Sequence, residues 1–169
     1  SMFGAHQKEN ANLSAAVCRL LGIPEKHIID GLQNTAWPAR FEVKQITSYG
    51  SQFTVVSDCA HNPTGIAALK NSVKKYFKKK INFVFGVLSD KDYKEMIKII
   101  SSVAKNVFIS APKNERALSV ETTKKEFIKY ISQKNIFVFD DIKNAVKAAI
   151  KKSEDFCVTG SVYTVAEAM

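Results

Sequence analysis

The chain has 169 residues, 46% of them hydrophobic and 24% charged. That is enough for one ordinary domain with a real core and short for two, and it excludes a disordered tail or a coiled coil. No apolar run reaches the roughly 18 residues of a membrane span, and no basic segment followed by an apolar stretch marks a signal peptide. Cys18, Cys59 and Cys157 are odd in number and lack metal-ligand spacing. They argue for a reducing compartment, hence a cytoplasmic location, and against a disulfide scaffold or a zinc site. Lysine plus arginine exceeds aspartate plus glutamate by 25 to 16, giving a formal charge of +9. Only Arg19, Arg40 and Arg116 are arginines. Nucleic-acid binders favour arginine for bidentate contacts, so the lysine excess reads as solvated surface or as a basic field toward a nucleotide-like anion, not as a nucleic-acid interface.

In chain order, the apolar positions Leu13, Ala16, Val17, Leu20 and Leu21 predict a helix over 13–21. Gly22, Ile23 and Pro24 stop it. A second helix is expected from Glu25 to Gln33. Trp37-Pro38-Ala39-Arg40 cannot be helical, because Pro38 restricts itself and Trp37. Phe41, Val43 and Ile46 then read as strand, Tyr49-Gly50-Ser51 as a turn, and Phe53 to Ser57 as a second strand, together a hairpin. Beyond it, apolar runs alternate with helical patterns. Strands are expected over 81–87, 107–109, 136–139 and 156–158, and helices from Pro63 and over 93–104, 120–131, 142–150 and 161–169. The lysines at 74–80 fit the solvated end of the helix that begins at Pro63. Strands and helices alternating at this spacing predict an α/β fold: a mostly parallel, mixed sheet with helices on both faces.

Ligands of open α/β sheets bind at the carboxyl ends of the strands. After the second strand comes Asp58-Cys59-Ala60-His61-Asn62-Pro63. Asn62 suits an N-cap and Pro63 a first helical residue, which places Asp58 and His61 beside a helix start where anions are stabilised. Ser89-Asp90-Lys91-Asp92 and Thr159-Gly160-Ser161 follow two further strands. One rim therefore gathers a carboxylate, an imidazole, an ammonium and a hydroxyl. Plainer readings stand beside these: Asp58 as turn former, His61 as a structural or exposed histidine, Asp90 or Asp92 and Ser161 as helix caps, and, away from this rim, Arg40 as an ion-pair partner of Glu42 and Gln7 and Asn10 as polar helix-start residues.

Six stretches in order carry a resemblance. They are Gly4 to Ala11, Gly31-Leu32, Trp37-Pro38-Ala39-Arg40-Phe41-Glu42, Asp58-Cys59-Ala60-His61-Asn62-Pro63, Asp90-Lys91-Asp92, and Val158-Thr159-Gly160-Ser161-Val162-Tyr163. Together they resemble the C-terminal part of folylpolyglutamate and dihydrofolate synthases, of the Mur ligase family. The resemblance implies a Rossmann-like Mur ligase C-terminal domain over 37–169, with residues 1–36 the tail of a preceding ATPase domain and a linker. Ser1-Met2 reads as a cloning scar. The family usually has glycine where Ala39 and Cys59 stand and leucine where Val162 stands; a negative φ at Ala39 and Cys59 would make the replacements tolerable.

What the resemblance implies chemically is an ATP-dependent ligase of folate biosynthesis and one-carbon metabolism. It would add L-glutamate to dihydropteroate or a folate through an acyl phosphate. ATP and Mg2+ would be the cofactors, with Mg2+ held mainly by the preceding ATPase domain, and this chain itself supplies no metal site. The chain contains no Gly-Lys-Ser or Gly-Lys-Thr phosphate loop, so it is expected to be inactive alone. By the same resemblance, Gln7 and Asn10 read adenine, Arg40 contacts phosphate, Asp58 accepts from ribose hydroxyls and His61 approaches the phosphates. Lys91 and Ser161 hold the incoming glutamate. The rival reading is a stand-alone nucleotide-binding module with a regulatory or scaffold role. No membrane partner is implied.

Overall fold

The computed structural model describes residues 3–169; Ser1 and Met2, read as a scar, lie outside them. Helices α1 (Ala5–Leu20) and α2 (Glu25–Asn34) come first and pack on each other. Ala15 and Ile28 are buried. α1 begins well before the expected Leu13, because the polar stretch ahead of it contains neither proline nor glycine after Gly4 and nothing breaks the helix.

The hairpin strands β1 (Glu42–Ser48) and β2 (Ser51–Ser57) pair antiparallel, with Glu42 opposite Ser57 and Ser48 opposite Ser51. Phe41 is not part of β1; its φ is 53°. The chain then alternates α3 (Pro63–Phe77), β3 (Ile81–Phe85), α4 (Tyr93–Ser101), β4 (Ala104–Ile109), α5 (Val120–Ile128), β5 (Ile136–Val138), α6 (Ile142–Lys151), β6 (Phe156–Thr159) and α7 (Val162–Ala168). The strand order is β1-β2-β6-β3-β4-β5, and every pairing but the first is parallel. The expected mixed sheet with an antiparallel edge is therefore present. Among the later elements the larger differences from expectation lie at four ends. β3 ends at Phe85, α4 at Ser101 and α5 at Ile128, and β4 begins at Ala104. Apolar residues continue across those ends, so composition alone does not mark them.

The period of two along each strand sorts the core. Phe83, Phe85, Val107, Ile109 and Cys157 point to a face covered by α3, α4 and α5 through Ile66, Leu69, Val73, Ile97, Ile100 and Phe127. Val84, Phe108, Phe156 and Val158 point to the other face, covered by α6 and α7 through Ala145, Ala149 and Val165. The helices start where their caps are. Asn62, Asp92, Ser119, Asp141 and Ser161 each accept a hydrogen bond from a backbone N–H two or three residues into the helix that follows. Because all the strands but β1 run parallel, these helix starts and the loops before them lie at one end of the sheet. Among the described residues no helix is long and apolar enough to cross a membrane.

Candidate functional site

The loop leaving β2 is organised by Asp58. One oxygen of its carboxylate accepts from the N–H of Ala60 and the other from the N–H of Phe41, both at 2.9 Å. The turn before β1 is thereby tied to the loop after β2. Cys59 N–H adds a bond to the Ala39 carbonyl at 2.9 Å. Ala39 has φ 55°, so the negative φ expected there is not found. This position is left-handed, which explains why a glycine would suit it. Cys59 is not among the positive-φ residues, as expected. Burial raises the Cys59 thiol above its usual range, so it stays protonated at neutral pH.

Arg40 lies exposed between two buried residues, Ala39 and Phe41. Glu42 does not pair with it; its carboxylate turns to Ala39 N–H at 2.9 Å and to Lys44 at 3.1 Å. Those two contacts hold Glu42 below the usual carboxylate range.

A cavity of about 150 Å³ opens on the rim, lined by His61, Leu88, Lys91, Arg116, Ser161, Val162 and Tyr163. Three of the residues singled out from sequence therefore meet in it. His61 Nδ1 lies 2.9 Å from the Cys59 carbonyl; a carbonyl only accepts, so Nδ1 carries the proton and Nε2 is the nitrogen left to a ligand. Lys91 bonds Asp90 at 3.0 Å, and Asp90 also faces Arg116 at 3.4 Å. The Lys91 hydrogen bond, then the nearby cations, hold Asp90 below its ordinary range. Ser161 is the N-cap of α7: its Oγ accepts from Thr164 N–H at 3.0 Å and lies 2.8 Å from Thr164 Oγ1. Thr164 Oγ1 in turn donates to the Gly86 carbonyl at 2.8 Å, pinning α7 to the exit of β3.

Arg116 is the residue sequence reasoning missed. The loop after β4 folds back over the exit of β3 through Leu118 N–H to Val87 O at 2.9 Å and Ser89 N–H to Arg116 O at 2.7 Å. That brings Arg116 beside Asp90, 26 positions earlier. The signal was present: Arg116 is one of three arginines and follows a parallel strand onto the same rim.

Gln7 and Asn10 lie elsewhere, in a groove of about 460 Å³ between α1 and α2 with Lys8, Ala11, Ser14, Leu32 and Thr35. Asn10 Nδ2 donates to Gln7 Oε1 at 3.3 Å. Among the described residues no group of three or more His, Cys, Asp or Glu could hold a metal.

A mostly parallel six-stranded sheet with helices on both faces defines an α/β domain. Residues 39–161 match the family described as Mur ligase, glutamate ligase domain, and the chain belongs to that family. It is 32% identical over 171 residues to the probable bifunctional folylpolyglutamate synthase/dihydropteroate synthase of Halobacterium salinarum, covering 99% of this chain and 20% of that protein. The folylpolyglutamate synthase of Mycobacterium tuberculosis, solved with ADP and AMPPCP, superposes with a TM-score of 0.85 at 25% identity over 99% of this chain and 40% of that one. A bifunctional folylpolyglutamate synthase/dihydrofolate synthase solved with Mn, AMPPNP and L-glutamate gives 0.72 at 26% identity, over 86% and 34%. The chain thus spans two-fifths or less of the relatives it matches.

Proposed function

We propose that this chain is the C-terminal domain of a cytoplasmic ATP-dependent ligase that joins L-glutamate to dihydropteroate, to a folate, or to both. The observation that carries the reading is the rim cavity, which His61, Lys91 and Arg116 line together, the two cations meeting at the Asp90 carboxylate. Two cations and an imidazole on a 150 Å³ cavity suit a small dicarboxylic amino acid better than a bulky or neutral ligand. Ser161 serves this site by capping α7, and its buried hydroxyl fixes the cavity wall.

ATP fits the neighbouring groups. Arg40 is exposed and makes no ion pair among the described residues, so its guanidinium is available to phosphate oxygens. Asp58, a carboxylate and so an acceptor, is in this reading the group that meets a ribose hydroxyl. The amides of Gln7 and Asn10 offer the donor and acceptor pair that an adenine edge requires. In this reading the Mg2+ site belongs mainly to a preceding ATPase domain.

In this reading residues 1–36 are the tail of that domain and the linker, and 37–169 the ligase domain proper. Helices α1 and α2 expose Leu13, Val17, Leu20, Leu21, Ile29 and Leu32, an apolar face of the kind that marks a contact surface. The ATPase domain of the same parent covers it. ATP phosphorylates the pteroate carboxylate, the glutamate amine attacks the acyl phosphate, and phosphate leaves. The residues of this chain orient glutamate and neutralise charge; they do not cleave ATP, so the chain alone is inactive.

Steady-state kinetics of the complete enzyme test the reading. Arg40→Ala should lower kcat and kcat/KM together with little change in KM for ATP, by about 30- to 1000-fold for a contact of about 2–4 kcal/mol. Arg40→Lys should recover part. His61→Ala should fall in the same direction by less. Arg116→Ala and Lys91→Ala should raise KM for glutamate. Wild-type kcat in Arg40→Ala, or unchanged glutamate KM in both cavity variants, would refute the assignment. Phosphate release by the isolated chain that depends on dihydropteroate and glutamate would refute its inactivity.

A further inference from the structure

Arg40 sits at the apex of a turn whose two flanking residues are both strained. Ala39 and Phe41 have φ of 55° and 53°, a left-handed backbone that residues other than glycine, asparagine and aspartate rarely adopt. Both are 4% exposed. Such strain persists only where the surroundings over-determine it, and it gathers at functional positions.

The surroundings do over-determine it. Ala39 N–H donates to Glu42 Oε2, and Phe41 N–H donates to Asp58 Oδ2, each at 2.9 Å. The Ala39 carbonyl accepts from Cys59 N–H at 2.9 Å. The Phe41 ring stacks on Phe3 with centroids 4.8 Å apart and meets the edge of Tyr76 at 5.8 Å. All these anchors fall on the flanks and none on Arg40 itself.

Glu42 is the informative member. A carboxylate two residues from a guanidinium would ordinarily pair with it and cancel its charge. Here the Glu42 carboxylate points back to Ala39 N–H and is drawn to Lys44 at 3.1 Å. The same bond therefore closes the turn and keeps a competing anion off Arg40. We propose that Glu42 is a positioning residue for Arg40: its carboxylate, with that of Asp58, locks the left-handed turn that aims the guanidinium at phosphate and leaves it uncompensated. This rests on the reading of Arg40 as the phosphate ligand and adds the group that sets where it points.

A double-mutant cycle tests it in the complete enzyme, including the preceding domain. Glu42→Ala should lower kcat on the order of tenfold, with KM for ATP within about twofold, because a misaimed catalytic group costs turnover more than binding. Glu42→Gln should restore most of the rate, since its amide oxygen accepts the same bond. In an Arg40→Ala background, Glu42→Ala should cost less than about twofold, since coupled residues lose their shared effect together. Equal losses in both backgrounds would reduce Glu42 to a structural residue and overturn the proposal. Wild-type kcat in the single Arg40→Ala variant would overturn the reading of Arg40 itself, and the proposal with it; the single variant tells the two failures apart. Where Glu42→Ala does not fold, Glu42→Asp replaces it: charged but one methylene short of Ala39 N–H, it should match the alanine loss, and full activity would overturn the proposal. On the 169-residue chain, amide hydrogen exchange at Ala39 should speed up in Glu42→Asp and stay slow in Glu42→Gln; equal protection in both would overturn it as well.

Discussion

Asp58 Oδ2 and the backbone N–H of Phe41 are joined at 2.9 Å across 17 positions of chain. With the second oxygen on Ala60 N–H, one carboxylate fixes both the loop leaving β2 and the turn entering β1. A residue expected to meet ribose thus also builds the frame in which Arg40 stands.

That double duty predicts the behaviour of Asp58 variants. Asp58→Asn must set an NH2 group against one of two backbone donors and leave that donor unsatisfied. The isolated chain should lose about 1–3 kcal/mol, read as a lower urea midpoint. In the complete enzyme Asp58→Ala should lower kcat as well as raise KM for ATP, because the turn carrying Arg40 loosens. A pure KM defect would show that the ribose contact is the whole of its role.

Ala39→Gly should stabilise the chain. An alanine at φ 55° carries the left-handed penalty of roughly 1–2 kcal/mol, and glycine escapes it while losing about 0.5–1 kcal/mol to unfolded-state entropy. The net gain of about 0.5–1 kcal/mol should raise the calorimetric midpoint by a few degrees. A fall in the midpoint would contradict the turn geometry.

Gly86→Ala should do the reverse for a steric reason. A Cβ there would come within 2.6 Å of both the Ser110 carbonyl and Thr164 Oγ1, and the latter bond pins α7 to β3. Overpacking of this kind costs about 1–3 kcal/mol. Gly31→Ala, mid-helix in α2 with nothing within 4 Å of the new Cβ, is the matched control and should stabilise by about 0.5–1 kcal/mol. Equal midpoints for the two variants would remove the steric argument.

Acid sensitivity should come partly from Asp155. Burial pushes its carboxyl up, but Lys79 at 2.7 Å and Thr54 N–H at 2.8 Å outweigh burial and hold it below its ordinary range. A depressed carboxylate stabilises the fold above its unfolded pKa, about 3.9, and that stability is lost as pH falls through the folded value. Urea midpoints of the wild-type chain should drop as pH falls below about 4, and Asp155→Asn should flatten that part of the profile. Parallel profiles would exclude Asp155 as a source.

The element types and the mixed sheet were legible in the residues because their causes are local. Asn62-Pro63 caps and opens α3 whatever lies around it, Pro38 forbids helix, and the unbroken apolar strands need helices on two faces. Helix ends were less legible where apolar residues run on, as at Val103-Ala104, since only the sheet decides which side of the boundary they join. His61, Lys91 and Ser161 could be placed on one rim because parallel topology puts the exits of β2 to β6 at the same end. The left-handed Ala39, the Asp58 bond to Phe41 and the approach of Arg116 to Asp90 could not be read this way. Each depends on chain segments far apart in sequence meeting in space, and no local pattern records which partner a backbone amide or a guanidinium will find. The sequence by itself determined the elements, their order and the rim; the packing of the β1–β2 hairpin against β6, and of the β4 loop over β3, decided which side chains share a site.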